Sequence, residues 1–213
     1  MAQIKIGKMV IGMVQTNCYF IYDNEQEAPK DVICVDPADN GDHIYKKLEE
    51  AGFHVAGILL THGHFDHIWG TGKLRELSGA KIYAYEAEKA LCENADTNCS
   101  VQVGRPYTIT PDVYLKDGES VTIAGITCKL IATPGHTVGS CCYYFEEAGM
   151  LISGDTLFQE SVGRSDLPTG SGGTLVRSVR EKLFVLPDET KVYPGHGDST
   201  TIGYEKQYNP FCC

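Results

Sequence analysis

The feature that most constrains this chain is the run Thr61-His62-Gly63-His64-Phe65-Asp66-His67, which follows directly on the apolar stretch Val55 to Leu60. A continuous apolar run of that length reads as a strand covered on both faces. If the strand continues past Thr61, His62 and His64 point to the same side, because side chains alternate. A turn into a helix after them would set Asp66 and His67 at its mouth, aimed at the same point. One short segment can then offer ligands to two neighbouring cations. Glycine at 63 permits close backbone approach or an unusual dihedral. Crowded neutral imidazoles have little folding value of their own, so a fold that gathers them needs something for them to hold.

The chain has seven histidines, and two more stand in turns that directly follow strand-like stretches. These are Thr133-Pro134-Gly135-His136 and Tyr193-Pro194-Gly195-His196-Gly197. A third such strand end, Ile152-Ser153-Gly154-Asp155, offers a carboxylate. A lone Gly-His turn is ordinarily only a polar turn. With the run at 62–67, however, the set becomes five histidines and two aspartates, enough for two metal ions sharing a bridging carboxylate. Imidazole and carboxylate suit zinc, iron, manganese or cobalt, so ligand type alone does not name the metal. His43, in an early helix, and His54, at the start of a strand, stay outside the set.

The surrounding pattern predicts strands at Cys18–Tyr22 and Val32–Val35, then a turn cluster from Asp36 to Gly41. Ile44, Leu48 and Ala51 recur at helical spacing, and Gly52 closes that helix. Leu74 and Leu77 mark a second helix ending near Gly79. Lys81–Tyr85 reads as a strand, Glu86–Cys92 as a short helix, and residues 94–110 as a long surface loop. Val113–Leu115, Ser120–Ile123 and Ile126–Ile131 suggest antiparallel strands with turns at Asp117-Gly118 and Ala124-Gly125. Cys141–Phe145 and Met150–Ile152 suggest a hairpin, Leu175–Leu183 a helix and Lys191–Tyr193 a last short strand. Such an order fits two packed sheets with helices outside.

Composition narrows the function classes. A formal net charge of −10 excludes a nucleic-acid partner, since a phosphate backbone demands a basic face. No apolar run is long enough for a membrane span, and Met1 to Lys8 lacks the pattern of a signal peptide. Nine cysteines are an odd number without a Cys-x-x-Cys pair, which points to reduced thiols in a cytoplasmic protein. Cys18, Cys34, Cys128, Cys141 and Cys142 are expected in the core. Cys212 and Cys213 are expected to be exposed.

The order Thr-His-x-His-x-Asp-His, Gly-His136, Gly-Asp155, Gly-His196 resembles the metallo-β-lactamase superfamily, over nearly the whole chain. The resemblance implies an α+β fold, a four-layer αβ/βα sandwich with its site at one edge of two sheets, as a single domain over residues 1–213. It implies that His62, His64 and His136 hold one metal, that Asp66, His67 and His196 hold the other, and that Asp155 bridges them. Two divalent ions are expected, zinc first, with iron or manganese as alternatives. Such a pair can share a water and lower its pKa from 15.7 toward 7, giving a hydroxide nucleophile. Asp66 would hydrogen-bond that hydroxide and relay its proton.

A bridging Asp155 and the run Leu157-Phe-Gln-Glu-Ser-Val-Gly-Arg-Ser-Asp-Leu-Pro are similar to the glyoxalase II-like group. Only Gly197 to Cys213 follow His196, where full-length glyoxalase II carries a glutathione-gripping helical domain. The implied activity is hydrolysis of a small-molecule thioester or ester. The alternatives are a mononuclear iron persulfide dioxygenase, a lactonase or a weak β-lactamase. Arg164 could contact a substrate carboxylate with its planar fork or, paired with Asp166, brace the loop after Asp155, and bracing is the favoured reading. Trp69, Tyr143 and Tyr144 are assigned to core or pocket wall.

Overall fold

The computed structural model describes residues 3–212. Its first sheet has six strands in chain order: β1 (Ile4–Ile11), β2 (Thr16–Asp23), β3 (Lys30–Val35), β4 (Phe53–Leu59), β5 (Lys81–Tyr85) and β6 (Val113–Leu115). β1 to β3 form an antiparallel meander, and β3 to β6 run parallel. Parallel neighbours need crossovers, and these carry α1 (Gly41–Glu50), α2 (Phe65–Ile68), α3 (Thr71–Ser78) and α4 (Lys89–Cys92). The second sheet contains β7 (Ser120–Ile123), β8 (Ile126–Ala132), β9 (Cys141–Phe145), β10 (Met150–Gly154), β13 (Lys191–Pro194) and β14 (Thr200–Thr201), in the order β14-β13-β10-β9-β8-β7. A two-stranded hairpin, β11 (Leu157–Phe158) with β12 (Ser161–Val162), interrupts it. Outside lie α5 (Gly172–Ser178), a widened helical turn over Val179–Leu183, and α6 (Ile202–Tyr208).

The strands are apolar on both faces because each face meets a different layer. On β2, Cys18 and Phe20 join Ile44, Leu48 and Leu74 of the helical layer, while Tyr19 and Ile21 face the second sheet. On β9, Tyr143 and Phe145 point between the sheets, and Cys142 and Tyr144 pack on Val179, Leu183 and Ile202. Three apolar seams therefore join four layers, the αβ/βα arrangement expected. Truncating a central residue such as Ile58 or Leu130, both fully buried, to alanine would cost about 2–5 kcal/mol.

The β3–β4 pairing holds one irregularity. Val32 opposes Val55, yet Ile33 opposes Gly57, so β4 carries an extra residue at Ala56. Before it, Val55 faces the helices. After it, Ile58 and Leu60 do.

Several expectations need correction. β6 is a parallel strand of the first sheet and does not meander into β7, because Asp112 exchanges hydrogen bonds with Ile82 through its backbone N–H and its side chain. Strand β4 ends at Leu59, so His62 and His64 lie on extended chain beyond the ladder. The stretch 94–110 is only partly surface loop: Asn98 and Ser100 are buried and bonded to Tyr107. All eight described cysteines are free and buried. Cys212 is among them, contrary to expectation, because α6 brings it against Val192 and Ile202. Cys213 lies outside the described residues. No helix among the described residues is long and apolar enough to cross a membrane.

Candidate metal centre

Every candidate ligand emerges at the C-terminal end of a strand. His62 and His64 follow β4, Asp66 and His67 open α2, His136 follows β8, Asp155 follows β10 and His196 follows β13. The structure brings all seven together. His64 Nδ1 and His62 Nε2 lie 2.9 and 3.1 Å from His136 Nε2. On the other side, His67 Nε2 is 3.5 Å from Asp66 Oδ2, and His196 Nε2 is 3.3 Å from the same oxygen. Asp155 stands between, Oδ1 3.4 Å from His67 Nε2 and Oδ2 3.6 and 3.5 Å from His136 and His196. Two three-residue groups, His62–His64–His136 and Asp66–His67–His196, each keep their ligand atoms within 4.8 Å of one another. His43 and His54 are exposed, and His54 pairs with Asp31.

The partners of the outer ring nitrogens decide what faces inward. His136 Nδ1 donates to the Arg164 carbonyl at 2.7 Å, and His67 Nδ1 donates to Asp36 Oδ2 at 2.9 Å. Thr61 Oγ1 donates to Asp36 Oδ2 at 2.7 Å, leaving it to accept from His62 Nδ1 at 3.1 Å. His62 and His136 therefore present a bare Nε2 lone pair to the centre, and His67 Nε2 faces it as well. Lone pairs of His62 and His136 only 3.1 Å apart repel unless a cation lies within reach of both. His67 Nε2 and Asp155 Oδ1 are likewise buried without hydrogen-bond partners. The donor set fits a pair of divalent cations.

Asp36, which the sequence reading placed in an ordinary turn, bonds to the candidate ligand His67 and to Thr61 beside His62. It is 1% exposed, has φ of 50° and accepts the Thr61 amide at 2.8 Å as well as the two side-chain bonds above. Its usable signal was positional: it ends β3, the parallel neighbour of β4, and strand ends of parallel sheets converge on sites. Thr16 and Asn17 also escaped notice. Thr16 Oγ1 donates to Asp66 Oδ2 at 2.9 Å, and Asn17 Nδ2 donates to the carbonyls of Pro194 and Gly197 that bracket His196. Gly195 is obligatory, since a Cβ there would sit 2.2 Å from Asp155 Oδ1 and 2.7 Å from His67 Cε1.

The electrostatics divide along the same line. Burial, then the neighbouring imidazoles, hold His62 well below the usual histidine range, and burial with His136 brings His64 down to about 3. Burial by itself would lower His67 and His196 too, but Asp66 and Asp155 overcome it and raise both. Burial would raise Asp66 and Asp155, and the charges of His67 and His196, joined at Asp155 by His136, hold both carboxyls low. Ionised carboxylates and the neutral rings of His62 and His64 are the forms in which ligands bind a cation, and a bound cation would displace the protons that Asp66 and Asp155 favour on His67 and His196.

The centre opens on a cleft of about 320 Å³ with Val14, Phe65, Phe158 and Leu167 on its walls and Arg164 at its side. Arg164 Nε and Nη2 each donate to Asp166 at 2.7 Å, an exposed pair. Trp69 and Tyr143 are buried as expected.

The family model for the metallo-beta-lactamase superfamily matches residues 11–196. The chain belongs to the metallo-β-lactamase superfamily. This superfamily member is 37% identical to the probable metallo-hydrolase YqgX of Bacillus subtilis, over 98% of this chain and 97% of that one. It is 34% identical to the hydroxyacylglutathione hydrolase GloC of Haemophilus influenzae, over 92% of each. Among solved structures, it matches the BLEG-1 B3 metallo-β-lactamase with a TM-score of 0.91 and 35% identity, covering 98% of this chain and 99% of the other. It matches TTHA1623 in a di-iron-bound form with a TM-score of 0.84 and 31% identity, covering 96% and 99%. These likenesses place it among metallo-hydrolases with the α+β metallo-β-lactamase fold.

Proposed function

We propose that this protein is a binuclear metallohydrolase that cleaves a small-molecule thioester. One observation carries the choice of substrate class. Apart from the candidate ligands, the only titratable side chain among the described residues lining the cleft is Arg164, which cannot donate a proton near neutrality. An amine leaving group needs protonation as it departs, whereas a thiolate, with a thiol pKa near 8.5, leaves unassisted. The similarity to a hydroxyacylglutathione hydrolase supports the same class.

His62, His64 and His136 would hold one cation, Asp66, His67 and His196 the other, and Asp155 both. When bound, the pair would supply Lewis-acid polarisation of the carbonyl and a water of lowered pKa. Zinc suits this donor set, and so does iron, the metal in the TTHA1623 structure. Asp66 would accept the attacking water's proton at Oδ1, the oxygen that Thr16 does not engage. The apolar walls would exclude bulk water and seat the acyl group. Arg164 would brace its loop through Asp166 while its carbonyl holds His136 in the required tautomer.

The deciding assay measures turnover of S-lactoylglutathione and other acyl thioesters, with metal quantified in the same preparation. Metal-dependent thioester cleavage is expected. One iron per chain with oxygen uptake on a persulfide would overturn it, as would turnover confined to nitrocefin or an acyl-homoserine lactone.

A further inference from the structure

The three-histidine side of the centre is assembled from two separate chain segments. His62 and His64 follow β4 in the first sheet, and His136 follows β8 in the second. A buried side chain outside the ligand set bonds to both. Glu88 Oε1 accepts the Gly63 amide, which lies between His62 and His64, at 2.9 Å. The same oxygen accepts Thr137 Oγ1, the residue after His136, at 2.8 Å. Thr137 in turn bonds Ser140, whose hydroxyl accepts the Thr137 amide and so closes the His136 turn.

Packing repeats this arrangement independently. A Cβ at Gly63 would come within 2.9 Å of Cys92 Sγ and Leu91 Cδ2, on α4. A Cβ at Gly139 would fall 2.3 Å from the Glu88 amide nitrogen and 2.4 Å from its Oε2. Both ligand-bearing segments are thus pressed without clearance onto the chain from Glu88 to Cys92.

The carboxylate is costly where it stands. Glu88 is 1% exposed, Oε2 has no hydrogen-bond partner, and no ion pair to it occurs among the described residues. Burying a charge without a counter-ion costs several kcal/mol. Burial pushes its carboxyl up to about 7, against the Gly63, Thr137 and Gly139 groups that favour ionisation. A residue kept for packing alone would be apolar.

We infer that Glu88 is a positioning residue that joins the β4 and β8 ligand segments, and that it sets the affinity of the His62–His64–His136 site without touching the metal. The inference rests on the metal-centre reading and is independent of the thioester. Loss of hydrogen-bonded support for ligands characteristically lowers metal affinity about 10–100-fold. Glu88 serves one of the two sites, so the loss falls on one of two equivalents.

The test dialyses zinc-loaded protein against graded chelator and measures zinc per chain, with the cobalt-substituted absorption spectrum as a second readout. Glu88→Ala is expected to release one equivalent at about 10–100-fold weaker chelation than wild type, with the second equivalent unmoved. Its cobalt spectrum should change at the site that empties first. Glu88→Gln retains an acceptor oxygen for both bonds and should restore wild-type release. Should Glu88→Ala unfold, Thr137→Val removes one of the two bonds while filling the same space, and it should shift the same equivalent in the same direction. Wild-type release from both variants, or an equal loss of both equivalents, overturns the inference. A wild type that holds no metal overturns the metal-centre reading with it. A wild type that holds metal but spares thioesters overturns only the proposed reaction.

Discussion

The two sides of the centre are built to different rules. His62, His64 and His136 are all at most 3% exposed, His62 held through Thr61 and Asp36 and His136 through the Arg164 carbonyl, with burial favouring the neutral rings of His62 and His64. On the opposite side, His196 is 28% exposed, and Asp66 and Asp155 border the cleft. There, charge dominates, with two carboxylates facing two imidazoles that they raise. The cleft reaches both sides, through His64 and His136 on one and Asp66 and His196 on the other, so the contrast between them is one of burial and charge.

The largest test removes the group shared by both sides. Asp155→Ala is expected to lose metal and activity together, by more than the ~100-fold that outer partners command. His64→Ala, on the deep side, should do the same. Activity retained by either variant, with metal content unchanged, would refute the division. Next comes Asp36→Asn, which leaves the shape but disturbs Thr61 and His67 at once. It should weaken metal binding ~10–100-fold and destabilise the metal-free protein by about 1–3 kcal/mol in chemical denaturation.

Acid sharpens the contrast further. His62 and His64 have folded pKa values below the unfolded 6.5, so the unfolded chain binds more protons and stability falls as pH drops below about 6.5. Glu88, raised to about 7, opposes this between about 7 and 4.5, and His67 and His196, raised above 6.5, oppose it only until pH has fallen to about 6. Below about pH 6 the two lowered histidines prevail, so metal-free protein should unfold more readily at pH 5 than at pH 6, and His64→Gln should flatten that slope. An unchanged slope would remove His64 from the account. The smallest effect is expected of Arg164→Ala. If the side chain only braces its loop, kcat/KM should fall less than ~10-fold with no change in Tm, whereas a KM rise confined to carboxylate-bearing substrates would mark it as a substrate contact.

The candidate ligands were legible in the sequence because each stands in a short motif at a strand end, where turn residues and apolar runs mark the boundary. The layers were legible because strands apolar on both faces require cover on both. What supports the ligands was not. Asp36 and Glu88 act through contacts 25 residues distant, with Thr61 and Gly63, and nothing local separates them from a turn aspartate or a helix-face glutamate. β6 was misplaced for the same reason: its neighbour in sequence is β7, and its partner in space is β5.

The extra residue at Ala56 has a consequence for everything downstream. It inverts the alternation of β4 midway, so that Ile58 and Leu60 point where Gly57 and Leu59 otherwise would. A strand shifted by one residue turns every later side chain to the other face. Pairing β4 with β3 residue for residue, without that bulge, would therefore leave the histidine run intact in composition and turn it away from the centre. The motif Thr-His-x-His-x-Asp-His is thus a statement about phase as well as chemistry: the letters can all be present while the protein holds nothing.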